Sequence, residues 1–331
     1  MIKKLILAVL VFSSVTAQYC AAIELIPGGQ SIGIVLETNG VLVTGFYAPS
    51  NEISPSERAG IKIGDRISSV NGKKIQTVEE LNTLISKVQS EETISLEVIR
   101  DKSTFTKQVK LVKNEHGQSQ LGFFAKHEIY GVGTLTYIDP ETLRFGALGH
   151  VVSEQHTRQP VEMKSGHIKA ADIRDIQKSR AGSPGGKIAY LNDKTSMLGE
   201  IKKNASTGIF GELFQREISG EGAKAMKTAQ KHEVNKGKAE ILTVLKGQDI
   251  EAFQIEILET DATLPSGEKG MKIRLADPGL IDKTGGIIQG MSGSPIIQNE
   301  QLIGAVSHVL IHQPNEGYAL YIEDMLKEQA S

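Results

Sequence analysis

Thr284-Gly-Gly-Ile-Ile-Gln-Gly-Met-Ser-Gly-Ser-Pro-Ile-Ile297 is the stretch that decides how this chain is read. At its centre, Ser292 sits between Gly290 and Gly293, and Pro295 opens an apolar run. A serine hydroxyl is a poor nucleophile. It reacts when a tight turn presents it, a base takes its proton and N–H groups face the oxyanion that develops. Glycines permit that turn and let a second backbone come close. The same residues also suit a Gly/Ser turn between two strands. Past Pro295 come Ile296-Ile297-Gln298, a polar Asn299-Glu300 turn, and Leu302 to Ser307, which reads as a hairpin leaving the serine. Its second strand is placed to pair with an extended backbone near Ser307-His308-Val309.

Gly290-Met291-Ser292-Gly293-Ser294-Pro295 resembles the Gly-x-Ser-Gly-x-Pro nucleophile loop of chymotrypsin-like serine peptidases. That resemblance implies Ser292 as nucleophile, with the backbone N–H groups of Gly290 and Ser292 as the oxyanion hole.

Such a serine needs a base, and histidine is the usual one. The chain has eight. His116, His127, His156, His167 and His232 lie in polar surroundings. His308 and His312 have the i,i+4 spacing of a helical metal pair, but their segment reads as a strand and no Glu stands between them, so no metal site is expected. His150 differs. It lies in the largely apolar stretch Leu143-Arg-Phe-Gly-Ala-Leu-Gly-His-Val-Val152, with Gly149 beside it, where it is either a core residue or a positioned base. For the carboxylate that would orient the imidazole, Asp139, Asp172, Asp175, Asp193, Asp249, Asp261, Asp277 and Asp282 all qualify by type. Asp277-Pro278-Gly279 follows the strand Lys272 to Leu275 and lies close in sequence to the serine segment, but a solvated turn aspartate is the more common fate of Asp-Pro-Gly.

Upstream, residues 24–113 form a second block. Ile32 to Leu36 and Val41 to Phe46 read as strands parted by an Asn39-Gly40 hairpin turn. Thr77 and Glu80 make a capping box for a helix reaching about Val88. Ala59-Gly-Ile-Lys-Ile-Gly-Asp-Arg-Ile-Ser-Ser-Val-Asn-Gly72 resembles PDZ domains, which bind extended peptides by strand addition. By that resemblance the peptide-capturing loop is Gly29, Gln30, Ser31, Ile32, Gly33 and Ile34. Residues 114–120 are polar and read as a linker. Residues 121–331 carry many short strands with glycine turns and one final helix near 322–329, the pattern of an all-β sandwich or barrel.

The bulk numbers fit two soluble domains. Net charge is −2 over 331 residues, which indicates no general affinity for nucleic acid or anionic membrane. Cys20 is the only cysteine, so no intrachain disulfide can form. Residues 1–22 have a Lys3-Lys4 head and a Leu5 to Phe12 apolar centre, the pattern of an export signal or short anchor. The working part is therefore expected outside the cytoplasm.

Taken in order, Ile26-Pro-Gly-Gly-Gln-Ser-Ile-Gly33, the PDZ block, Phe145-Gly-Ala-Leu-Gly-His150 and Gly290 to Ile296 resemble the stage IV sporulation protein B family of serine peptidases. The likeness implies a mainly β fold: an N-terminal PDZ domain (α+β) followed by a chymotrypsin-like double β-barrel. It also implies a triad of His150, Asp277 and Ser292, with no metal or cofactor. By the same resemblance the enzyme is secreted from a forespore, cuts itself, and clips a membrane-embedded regulator of an intramembrane protease, so that a sigma factor is processed. Met291 stands where chymotrypsin-like digestive enzymes carry Asp, which closes their activation route. The alternatives are a general extracytoplasmic quality-control protease, which usually places PDZ after the peptidase, and a non-catalytic PDZ adaptor.

Overall fold

Alternation of buried and exposed residues closes two six-stranded barrels in the computed structural model, which describes residues 23–49, 53–88, 92–191, 197–215 and 224–331. The export segment, Cys20 included, lies outside the described residues. In the first barrel the order is Ser31–Phe46, Phe123–Ile138, Arg144–Ala147, Gly208–Leu213, Met197–Ala205 and Met163–Ala170, the last pairing back onto the first. Ile32, Ile34, Leu36, Leu135, Phe145, Ile168 and Ile201 fill it. The second barrel runs Gly237–Val244, Ile250–Thr263, Lys269–Leu275, Gln313–Tyr321, Gln301–Leu310 and Pro295–Gln298, and closes on itself. Ile241, Phe253, Ile255, Met271, Ile273 and Val306 fill that one. The C-terminal helix Ile322–Ala330 buries Ile322 and Met325 with Leu25, Tyr137, Phe210 and Leu302, an apolar seam that ties the barrels together.

The PDZ unit is placed differently from the sequence expectation. Asn39-Gly40 is not a hairpin turn. Ser31–Phe46 is one sixteen-residue strand with a register shift between Glu37 and Leu42, and Thr38 Oγ1 donates to the Gly40 carbonyl across the kink. A Cβ at Gly40, φ +86°, would press within 2.5 Å of the Ile67 carbonyl oxygen. The first half of the strand lies in the barrel and the second half in the PDZ core, where Val41 and Val43 pack with Ile67, Leu96 and Val98. The PDZ unit is thus inserted between two neighbouring strands of the first barrel. Residues 24–38 belong to the barrel. The expected linker, residues 114–120, is part of the PDZ unit, with Val112 paired to Gln120 and Lys113 to Ser119.

Its helix Val78–Ile85 starts at Thr77 with the expected capping box, and buries Leu81 and Ile85. Beside it runs Phe123–Ala125, whose other edge is taken by Phe46–Val43. Among the described residues no strand pairs with Phe123–Lys126 on the helix side, where a groove of about 1070 Å³ opens.

Candidate active site

Two turns meet between the barrels. One carries His150. Leu148 and Gly149 both take left-handed conformations, φ +73° and +67°, and together they lift His150 off the end of Arg144–Ala147. A left-handed leucine costs on the order of 1–2 kcal/mol, so its surroundings must hold it. Gly133 and Gly293 leave the room: a Cβ on Gly133 would overlap Leu148 Cδ2, and one on Gly293 would overlap the Leu148 nitrogen.

The other turn carries Ser292. Gly290 and Gly293 have φ of +94° and +93°, and buried Met291 fixes the turn between them. The Thr134 and Thr136 hydroxyls donate to the carbonyls of Gly290 and Gly293 at 2.7 and 2.8 Å. Gly293 N–H donates to the Val306 carbonyl at 2.7 Å. Among the described residues the N–H groups of Gly290 and Ser292 have no protein acceptor. An oxyanion hole needs two such free donors.

Ser307 joins the two turns. Ser292 Oγ donates to the Ser307 carbonyl at 2.9 Å, and Ser307 Oγ donates to the Gly149 carbonyl at 2.6 Å. His150 Nδ1 lies 2.9 Å from the Val151 carbonyl oxygen. A carbonyl only accepts, so Nδ1 carries the hydrogen and Nε2 is left bare as a base. The same logic fixes His308. Its Nδ1 is 2.6 Å from Ser307 Oγ, whose single hydrogen is committed to Gly149, so His308 Nδ1 is the donor. The two imidazole rings stand 5.1 Å apart, centre to centre. Burial pushes His150 below the usual imidazole value. Burial and the neighbouring His150 push His308 down to about 4. Both rings are therefore neutral at pH 7, and His150 is ready to accept a proton. Among the described residues, no hydrogen bond yet joins Ser292 Oγ to either ring.

The pH dependence follows. A base with a lowered pKa stays neutral further into acid, so the acid limb of kcat/KM is expected to fall below pH 6.5, the ordinary imidazole value. The unfolded chain binds protons from about pH 6.5 downward while the buried rings resist them, so stability declines over the same acid range. A kcat/KM profile and denaturant midpoints between pH 4 and 8 check both.

Asp277 is not brought to the imidazole. It is the N-cap of Pro278–Thr284 and accepts from Leu280 N–H at 2.8 Å. Among the described residues it makes no hydrogen bond or ion pair with His150. The reason is local: Asp followed by Pro is the start signal of a helix, with Asp at the cap and Pro at the first position. That helix ends at Gly285, φ +69°, and hands the chain on to the serine turn. Asp277→Asn keeps a capping oxygen and is expected to retain cleavage within roughly tenfold of wild type, whereas Asp277→Ala costs about 1 kcal/mol of stability. A fall of roughly 10⁴-fold in the Asn variant, measured as kcat, would instead put the carboxylate on the imidazole.

Gly29 to Ile34, expected to capture peptide, also lie elsewhere. Ser31 to Ile34 pair with Thr134 to Gly131 on one side, and Ile32 to Ile34 pair with Ala170 to Ile168 on the other, all inside the first barrel. Both edges are filled, so no strand can be added there. The peptide-sized groove sits instead against Leu121-Gly122-Phe123, with Gly122 at φ +78°. The signal was an apolar–Gly–apolar step opening a long strand. One strand, Phe123–Ile138, lines this groove at one end and holds the serine turn through Thr134 and Thr136 at the other.

On the expected substrate side, Pro295–Gln298 stops pairing with its neighbour at Ala305. Among the described residues no strand covers that edge from Ser307 to Leu310, where a substrate backbone can add.

Residues 117–326 match SpoIVB peptidase S55, and residues 31–111 match a PDZ domain. The PDZ match starts inside the barrel strand and stops short of Leu121 to Ala125, which complete the groove. A zinc metalloprotease RasP of Shouchella clausii is 29% identical over 147 residues, covering 41% of this chain and 34% of that protein. A probable periplasmic serine endoprotease DegP-like of Bartonella henselae is 33% identical over 133 residues, covering 34% and 25%. The chain thus spans about a third or less of these curated relatives. Among solved structures, the Rv3671c protease from M. tuberculosis is similar at 17% identity and TM-score 0.37, over 61% of this chain and 74% of that one. The S55 match covers more than half of the chain and includes both turns of the site, and by it the chain belongs to the SpoIVB peptidase S55 family of serine peptidases.

Proposed function

We propose that this serine endopeptidase uses Ser292 as nucleophile and His150 as base. In the same proposal it is exported, cuts itself, and clips a membrane-embedded regulator of an intramembrane protease in a sporulation cascade. The observation that carries the catalytic reading is the double use of Ser307: its carbonyl holds the Ser292 hydroxyl while its own hydroxyl holds the main chain at Gly149. The cascade and the extracytoplasmic site, between forespore and mother-cell membranes, rest on the ordered family motifs and on the export-like residues 1–22.

The chemistry runs as follows. A substrate strand adds along Ser307 to Leu310, and its N–H takes the Ser307 carbonyl. Ser292 Oγ is released and turns to His150 Nε2, which removes its proton as Oγ attacks the scissile carbonyl carbon. The oxyanion meets the N–H groups of Gly290 and Ser292. The imidazolium then protonates the departing amine, leaving an acyl-enzyme that water hydrolyses by the same steps. In the resting state the hydroxyl is parked on a carbonyl, so cleavage waits for a strand that fits. The PDZ groove beside Val78–Ile85 would take an extended peptide of the substrate or regulator.

Incubation of the purified full chain tests this reading. The wild type is expected to shorten itself near its N-terminus, read by intact-mass spectrometry, while Ser292→Ala stays whole. Equal fragmentation of both would remove Ser292 from the chemistry.

A further inference from the structure

Lys187 is a buried cation that the chemistry above leaves unused. It lies on the strand Gly186–Tyr190 and is only 8% exposed. Among the described residues it has no carboxylate partner. Its ammonium instead meets three hydroxyls from three strands of both barrels: Thr243 Oγ1 at 2.8 Å, Ser31 Oγ at 3.0 Å and Thr134 Oγ1 at 3.5 Å. Three N–H donors face three acceptors. Thr134 has already given its hydrogen to the Gly290 carbonyl at 2.7 Å, so toward Lys187 it accepts. A directional chain of donors thus runs from the ammonium through Thr134 to the carbonyl of Gly290.

The main chain of the same residue holds the other side of that turn. Lys187 N–H donates to the Gln289 carbonyl, and Gln289 N–H donates to the Gly185 carbonyl, both at 2.9 Å. In a trans peptide the C=O and the following N–H point in opposite directions. Fixing the Gln289 carbonyl on Lys187 therefore aims the Gly290 N–H away from the Lys187 strand. The lysine stem packs directly under the turn: a Cβ on Gly290 would come within 2.9 Å of Lys187 Cδ. Met291, next in line, is buried and apolar and brings no charge of its own.

We propose that Lys187 is a positioning residue for catalysis: its main chain and its hydroxyl-caged ammonium together hold the Gln289–Gly290–Met291 turn so that the Gly290 N–H faces the oxyanion. This rests on the reading of Ser292 as nucleophile. A stability role does not account for the residue. Burial without a counter-charge pushes its ammonium down to about 7. A lysine that titrates lower in the fold than in the unfolded chain weakens the fold below its ordinary value of 10.5, and does so fully below about 7. Below that value the charged lysine sits beneath the oxyanion turn at a cost to folding.

The test uses the full chain with wild type, Lys187→Met, Thr134→Val and Ser292→Ala, a fluorophosphonate probe for the nucleophile, and a peptide substrate. Lys187→Met keeps the stem and removes the charge. It is expected to melt at or above the wild-type temperature, yet to label Ser292 about tenfold or more slowly, with the loss in kcat rather than KM. Thr134→Val cuts the same chain of donors at its second link and is expected to slow labelling likewise, so the idea stays testable if the Met variant does not fold. A folded Lys187→Met that labels and cleaves at wild-type rates overturns the proposal. Labelling that persists in Ser292→Ala overturns the nucleophile reading and this proposal with it. Labelling lost in Ser292→Ala but unaltered in both other variants overturns this proposal alone.

Discussion

Ser292→Ala is expected to lower kcat/KM for peptide cleavage by roughly 10⁴-fold or more, and His150→Ala by a similar factor. The two act as one unit, so the double variant should be no slower than either single one. Folding is expected to survive in Ser292→Ala. The side chain is partly exposed, and its hydrogen bond to the Ser307 carbonyl faces the edge where substrate adds. Kinetics on a peptide substrate, with denaturant midpoints run in parallel, decide the matter. Additive losses in the double variant would mean that the imidazole does not take the serine proton.

Gly293→Ala is expected to be severely damaging. Gly293 has φ +93°, and an added Cβ would land on the Thr134 carbonyl oxygen and the Leu148 nitrogen. Both are backbone, held by the strand Phe123–Ile138 and by the left-handed turn before His150, so neither can swing aside. Relief requires the serine and histidine turns to separate. The expected loss is about 3 kcal/mol or more of stability, together with most of the cleavage activity. Gly182→Ala is the control: φ is +81° there too, but nothing lies within 4 Å of the added carbon, so only the conformational cost of about 1 kcal/mol remains. Urea midpoints for the two variants measure the difference. Equal midpoints would deny that the turns touch through Gly293.

The parts of the site legible in the sequence are those built from short-range chemistry. Gly290 to Pro295 show a glycine-flanked turn and Thr77 with Glu80 a helix start, because each is decided within a few residues, whereas His150 stays open between core and base because its turn is held by Gly133 and Gly293. What escaped was decided over longer distances. Asn39-Gly40 has the composition of a hairpin, yet a sheet neighbour on each side keeps the chain running straight through it with a bulge. That one change moves Ser31 to Leu36 from the PDZ unit into the barrel, and moves the peptide groove to Leu121–Phe123. At Asp277 the Asp-Pro helix start outweighs nearness in sequence to the serine, an outcome that reading Asp-Pro-Gly as a turn does not name. Lys187 was hidden by inverted alternation. In Gly186–Tyr190 the lysine faces inward while Ile188 and Tyr190 are 50% and 54% exposed, the reverse of what hydrophobic periodicity expects.

The most direct measurement is a crystal structure of the full chain carrying a peptidyl phosphonate on Ser292. The phosphonyl oxygen is expected on the N–H groups of Gly290 and Ser292, the peptide N–H on the Ser307 carbonyl in place of the serine hydroxyl, and His150 Nε2 within hydrogen-bond reach of Ser292 Oγ. A bound adduct whose oxygen avoids both N–H groups, with His150 still remote from Oγ, would contradict the pairing of these two side chains as nucleophile and base.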